Sequence, residues 1–514
     1  MGWCCCLDYL VFKSFLPEIF LSSCILFQLL INVILVNNFN FPILLLESIS
    51  QTFFILSCVF VLLWNNKIEG YFLNYLFINE SNGNYLKLFF IINAIIVLLI
   101  VAKSFKFYLL NFFEYFFFYL LVILAALLLF NAMDMLSAYL VLEMQTLTFF
   151  VLAAFKRNSV FSIEAGIKYF IVGAIISAFF LFGCSLCYGY FGTLNFFQLN
   201  IIVPFLTNQI GNEGYYFVLV ALLFIIVVFL FKFAIVPFHF WAPDVYEGAP
   251  LASTIIFSII PKLALLHFFI KWLYLSLMTF PELFWIMIST GSLSVLVGIF
   301  YAMGQKRLKR FIIYSSIAQS GFLIISLSNI TTISVVASYF FLVNYLVTAI
   351  IIWGLVSILY FYKNDFVAFY NSKLTPFYLS DFSAFFKKNN SWGFLILIVF
   401  FSLMGIPPFT GFFAKALIFY GLIISNINYF AMGLILINAI ATFYYLRFIK
   451  IVFFDTKNFD YIFYHLHTFF NTNSMLYITI ISSTILYLLF GVFFEPGISF
   501  LFCYKASIST FSGF

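Results

Sequence analysis

The feature that most constrains this chain is the recurrence of apolar, sparsely charged runs of about 20 residues, the length a helix needs to cross a bilayer. They fall near 15–36, 42–64, 86–102, 115–133, 135–155, 162–190, 215–240, 250–270, 283–303, 311–328, 332–361, 393–424, 427–453 and 474–494. Fourteen such runs, in 514 residues that are 65% hydrophobic and 8% charged, exclude a soluble domain. In lipid, every backbone polar group must be bonded within its own segment, so the runs are expected to be helices. The expected fold class is an all-α polytopic membrane protein with about fourteen transmembrane helices. The load of 80 phenylalanines and 32 tyrosines reads as codon bias in an AT-rich organelle genome. No Arg- and Ser-rich presequence precedes the first run, as expected of a protein made inside the organelle.

Charge sets the expected orientation. The loops after odd-numbered runs carry fifteen basic residues, Lys306, Arg307, Lys309 and Arg310 among them, whereas the opposite side has Lys13, Lys67, Lys271 and Lys505. The positive-inside rule then puts both termini on the side away from synthesis. The remaining basic residues, Lys87, Lys168, Lys232, Lys262 and Lys415, lie within apolar runs. Lys87, at a run's edge, reads as a snorkelling side chain. Glu18 and Glu47, near the ends of their runs, read as reaching interfacial water. His267 reads as a core side chain.

Runs four to eight and nine to thirteen form two sets of five, and an odd count forces the second set to be inverted. The seventh and twelfth would then correspond. Both combine a proline break with a lysine: Lys232 with Pro237, and Gly405, Pro407 and Pro408 with Lys415. Interrupted helices at matching places in two halves point to a transport site. The expected organisation is three N-terminal helices (1–110), a first antiporter-like five-helix repeat (111–275), and a second, inverted one (276–455) with a loop at 362–391. A loop and a C-terminal helix (456–514) complete it.

An ammonium at bilayer depth costs about 2.5–3.5 kcal/mol on insertion scales, so intramembrane lysines are functional candidates by default. Glu143 lies near the centre of the fifth run, Lys168 in the sixth, and Lys262 after Pro261 in the eighth. Lys232 and His239 are seven apart, so in an unbroken helix they would share a face. A charge pair about 4 Å apart at an effective dielectric near 20 is worth roughly 4 kcal/mol. Carrying one charge across a membrane potential costs about 2.3 kcal/mol per 100 mV. Moving Glu143 toward or away from a lysine is therefore an effect of the right size to drive proton translocation, and histidine suits the gaps because it titrates near neutrality. Against this stands the bland reading of static salt bridges between helices, which six such groups on consecutive or paired broken spans disfavour.

Other chemistry has little support. No Gly-rich dinucleotide or phosphate loop, iron–sulfur cysteine cluster or haem ligand pair is legible. Cys184 and Cys187 have CxxC spacing inside an apolar run and read as small core residues. Cys4, Cys5 and Cys6 are weak acylation candidates, and His465 and His467 with Asp455 and Asp460 are a weak metal candidate. No cofactor is expected in this chain.

Several segments together resemble a known family. They are Glu164-Ala165-Gly166-Ile167-Lys168-Tyr169-Phe170, the stretch Phe231 through Pro250, Tyr314-Ser315-Ser316-Ile317-Ala318, Gly405-Ile406-Pro407-Pro408 with Lys415, and Tyr444-Tyr445-Leu446-Arg447. The chain resembles the chain 2 type of antiporter-like membrane subunit in proton-pumping NADH:ubiquinone oxidoreductase (respiratory complex I). The resemblance implies a core subunit of an H+-translocating NADH dehydrogenase in the respiratory chain, at the mitochondrial inner membrane. Its basic loops would face the matrix and its termini the intermembrane space. FMN, iron–sulfur clusters and ubiquinone would belong to other subunits, and the partners would be further membrane-arm subunits and lipids, not nucleic acid. Glu143 and Lys232 would be the coupling pair, Lys168 and His239 relay groups, Lys262 the central proton carrier, and Lys415 the exit-side group. Gln319 departs from the pattern, since the family usually has histidine there and glutamine carries no proton charge. Residues 1–110 and 362–391 match little of the family. Two alternatives stay open: a subunit of a multisubunit cation/proton antiporter, and a non-pumping scaffold of the same complex.

Overall fold

The computed structural model describes residues 13–36, 41–66, 68–108, 114–207, 212–370, 378–379, 390–454 and 501–508. The first helices are α1 (Leu16–Val36), α2 (Phe41–Asn65), α3 (Gly83–Tyr108), α4 (Glu114–Asn131), α5 (Met135–Ala153) and α6 (Val160–Phe191). Next come α7 (Phe196–Thr207), α8 (Asn212–Lys232), α9 (Trp241–Gly248), α10 (Leu251–Thr279) and α11 (Glu282–Gly304). The series closes with α12 (Leu308–Leu327), α13 (Thr332–Tyr370), α14 (Asn390–Met404), α15 (Thr410–Ile424), α16 (Asn428–Phe453) and α17 (501–508). Among the described residues, twelve helices are long and apolar enough to cross a membrane. The shorter α14 and α15 together make the interrupted twelfth run, and the run at 474–494 lies outside the described residues.

Hydropathy alone misses four elements, α17 among them. A hairpin, β1 (Gly70–Phe72) and β2 (Phe77–Asn79), joins α2 to α3 with Tyr71 opposite Ile78. The connecting helix α7 and the short α9 are the others. In addition, α13 continues to Tyr370, so the expected loop at 362–391 begins as helix. Tyr378 and Leu379 of that segment meet Arg307 and Lys306, the Leu379 N–H donating to the Lys306 carbonyl at 3.0 Å.

Two compact units share the chain. One holds residues 1–234, 238–286 and 504–514, the other residues 235–237 and 287–503. In the first, α10 is the axis: 94% of its span is buried, with α3, α4 and α7 packed on it. The N-terminal helices belong to this unit, α1 packing on α2 and α4. In the second, α12 and α13 are the most enclosed spans, each 83% buried.

Two of the spans are broken. At the first break α8 stops at Lys232, Ala234 turns left-handed (φ 56), and Pro237 follows three residues later. At the second, α14 stops at Met404, Gly405 turns left-handed (φ 80), and Pro408 follows three residues later. A proline has no N–H to give and frees carbonyls one turn back, so both helices end there. Gly405 meets the left-handed requirement without a Cβ penalty. Gly411 is needed for a different reason: a Cβ there would run into the backbone of Ser402 on the other side of the break.

Candidate functional site

A helix that ends inside a membrane leaves its last carbonyls without intrahelical partners and presents the negative end of its dipole. At the second break an ammonium meets that end, and at the first a lysine closes the helix. Lys232 is the last residue of α8. At the second break Lys415, from the first turns of α15, reaches back to the end of α14. Its Nζ donates to the carbonyls of Leu403 at 2.7 Å and Met404 at 3.1 Å, and to Oδ1 of Asn438 at 2.7 Å. The Phe322 ring lies 5.5 Å from the ammonium, and the residue is only 5% exposed. Charge-assisted bonds of this kind are roughly twice as strong as neutral ones. The break therefore builds the cation site that the loose carbonyls require. At the first break, Trp241 Nε1 takes the Phe231 carbonyl at 3.1 Å.

Around the first break the candidate groups are unequally placed. Glu143 is half-buried in α5, and its carboxylate accepts from Thr146 Oγ1 at 3.0 Å. It interacts electrostatically with Lys232 without forming a contact ion pair. Lys232 and Lys262 are half-buried, Lys262 directly after Pro261 within the continuous α10. His239 is 5% exposed, its ring centroid 4.4 Å from that of Phe240 in a tilted arrangement. It lies in the break rather than on α8, so the shared-face spacing with Lys232 does not apply: the helix has ended before the second residue is reached.

Lys168 is 45% exposed, forming ion pairs with Glu164 at 2.8 Å one turn away and with Asp244 of α9 at 3.1 Å. The structure gives it a carboxylate partner on each of two helices. Gln319 is 6% exposed in α12 and donates through Nε2 to the Tyr445 hydroxyl at 3.4 Å. Tyr444 and Tyr445 are both fully enclosed beside it.

Three readings are corrected by burial. Lys87 does not snorkel: it is 2% exposed and bonded to Glu18 at 2.9 Å, and Glu18 is itself 4% exposed rather than interfacial. Lys271 is not a loop residue but lies within α10, 1% exposed, paired with Glu80 at 3.0 Å. These pairs escaped sequence reading because their members are 69 and 191 positions apart. Cys184 and Cys187 are buried in α6 as small core residues, whereas Cys4, Cys5, Cys6, His465 and His467 lie outside the described residues. Among the described residues no group of three His, Cys, Asp or Glu is placed to hold a metal.

Comparison with known proteins places this arrangement. Residues 132–443 match the family described as NADH:quinone oxidoreductase/Mrp antiporter, transmembrane. The chain belongs to that family. The match contains Glu143, Lys168, Lys232, His239, Lys262 and Lys415, as well as both breaks. NADH-quinone oxidoreductase subunit N of Pelagibacter ubique is 33% identical over 449 residues, covering 87% of this chain and 90% of that protein. NADH-ubiquinone oxidoreductase chain 2 of Marchantia polymorpha is 36% identical over 329 residues, covering 63% and 64%. The fold matches a chain of respiratory complex I from Thermus thermophilus with TM-score 0.70 at 23% identity, covering 94% and 98%. It also matches a chain of the Mrp complex from Dietzia sp. DQ12-45-1b with TM-score 0.73 at 16% identity, covering 98% of each. The resemblance read from the sequence motifs is confirmed, and the chain is an antiporter-like membrane subunit of the complex I type.

Proposed function

We propose that this chain is a proton-translocating subunit in the membrane arm of mitochondrial NADH:ubiquinone oxidoreductase. Electrons pass through FMN, iron–sulfur clusters and ubiquinone in other subunits, and this chain answers with proton movement. The observation that carries the reading is Lys415: a lysine 5% exposed in a broken span, its ammonium fixed by backbone carbonyls and an amide, with no carboxylate on it among the described residues. Such a group is costly to keep charged and is held where a proton can be taken up or given away.

Glu143 and Lys232 form the switch. They sense each other without touching, and closing to contact is worth roughly 4 kcal/mol at an effective dielectric near 20. That exceeds the roughly 2.3 kcal/mol needed to move one charge against 100 mV. Lys168, paired with Glu164 and Asp244, and His239 pass protons in the first unit, Lys262 carries them at its centre, and Lys415 releases them in the second. Tyr445, bonded to Gln319, supplies the hydroxyl that bridges the position of the missing histidine.

The chain 2 likeness and the basic loops support the mitochondrial setting, with those loops toward the matrix and the termini toward the intermembrane space. The Mrp likeness supports a second reading, a cation/proton antiporter subunit. Copurification with flavin and iron–sulfur subunits favours the first, and their absence the second. The pump itself is tested by Lys262→Ala. The complex should assemble and yield fewer protons per NADH; unchanged yield and turnover would refute the proposal.

A further inference from the structure

The two buried ion pairs that sequence reading missed are one cluster. Lys87 Nζ donates to Glu18 at 2.9 Å and to Asn79 Oδ1 at 2.7 Å, and Asn131 Nδ2 donates to the same Glu18 oxygen at 2.8 Å. Lys271 Nζ donates to Glu80 at 3.0 Å and approaches the Phe130 carbonyl at 3.4 Å. Neighbouring residues therefore bridge the pairs twice: 79 and 80 from the hairpin, 130 and 131 from the end of α4. His267, 1% exposed, lies one turn before Lys271 on α10, packs on Phe130 at 5.4 Å, and feels the charges of both lysines.

A static clamp would not be built this way. Burying an ion costs several kcal/mol, and replacing a buried pair by apolar residues is often neutral or stabilising. Here two pairs are buried in one unit, and each leaves a carboxylate oxygen, Glu18 Oε2 and Glu80 Oε2, enclosed without a hydrogen-bond partner. An enclosed acceptor left unmatched costs about 1–3 kcal/mol, which a fixed clamp has no reason to carry and a proton-accepting site does. Only the Glu80 end of the cluster is open. Glu80, beside the hairpin, is 10% exposed, Lys271 1% and His267 1%.

We propose that this cluster is a proton-exchange site between the water at the hairpin face and the interior of the first unit. It rests on the reading of the chain as a proton carrier, and extends it to groups outside the Glu143–Lys262 series. A proton reaching the His267 imidazole leaves the cluster with one excess positive charge. Lys271 then gives a proton to Glu80 Oε1, to which it is hydrogen-bonded at 3.0 Å, and is reprotonated by His267. The Glu80 carboxylic acid loses its proton to water. One proton has moved, and Glu80, Lys271 and His267 are back in their starting states. Glu18 and Lys87, a net-neutral pair, keep their protonation states throughout.

The test uses the whole complex in sealed vesicles, driven by NADH, with Lys262→Ala as the reference. Glu80→Gln combined with Lys271→Met keeps the site neutral and filled, and His267→Gln leaves the members of both ion pairs in place. Both should lower the proton yield per NADH to the level of Lys262→Ala, and Glu80→Asp should restore part of it. Wild-type yield from either assembled variant, with Lys262→Ala impaired, makes the cluster a clamp and leaves the pump standing. Wild-type yield from Lys262→Ala removes the pump and this proposal with it. If the double variant does not assemble, His267→Gln decides alone.

Discussion

Replacing Lys415 separates the two roles a buried lysine can have. In Lys415→Met the Leu403 carbonyl and the half-buried Asn438 Oδ1, which water can reach, lose their ammonium donor, while the Met404 carbonyl keeps Asn438 Nδ2 at 3.4 Å. One buried carbonyl left unmatched costs about 1–3 kcal/mol. Against that, the variant no longer keeps a cation out of water, a relief of several kcal/mol, and methionine fills much of the same space. The two terms are of similar size, so stability should change by about 2 kcal/mol or less in either direction. The assembled complex should therefore persist on heating nearly as well as the parent, yet pump fewer protons per NADH. Lys415→Arg completes the comparison. A guanidinium can keep the carbonyl bonds but does not deprotonate in proteins, so it should block pumping as methionine does. Thermal loss of the assembled complex and proton yield in sealed vesicles are the two assays. An arginine variant that pumps like the parent would show that Lys415 merely neutralises the helix end, and the reasoning would fail.

Two further outcomes follow from burial and capping. Lys87→Met leaves Glu18 enclosed without its cation and should cost about 3–5 kcal/mol, whereas Lys87→Met with Glu18→Leu should recover most of that loss; heating curves of the assembled complex for the single and double variants check the difference. Asp134, outside the spans, caps α5 by accepting from the Leu136 N–H at 3.0 Å. Burial raises its carboxyl pKa, the N–H groups of Leu136 and Met135 opposing. The folded chain thus binds that proton more tightly than the unfolded one, so the group favours folding at acid pH and costs stability as pH rises through the raised value. Asp134→Asn keeps a good cap and should stabilise by roughly 1 kcal/mol or less at pH 7, with the advantage gone near pH 4.

Most of the spans and both breaks were legible because they depend on local signals. A twenty-residue apolar run specifies a helix wherever it packs, and a proline ends one for reasons confined to its own turn. The partners of the buried charges were not. Lys87 looked like a flank because it opens a run, and only the return of α1 alongside α4 brings Glu18 to it. Lys271 looked like a loop residue because the apolar window closed one position earlier, although α10 continues to Thr279. The Asp244 partner of Lys168 depends on how α9 folds back after the break. Lys415 was legible as a site, but its carbonyl acceptors were not, because they exist only once Gly405 has turned the chain.

The proposed switch rests on Glu143, whose charge reaches Lys232 without contact. The decisive measurement is the number of protons delivered per NADH oxidised by the intact complex bearing Glu143→Gln, a change that keeps size and hydrogen bonding while removing the charge. Coupling through that charge requires a lower yield from a fully assembled complex. A yield equal to that of the parent at equal NADH turnover would mean that the chain spaces its neighbours without driving a proton.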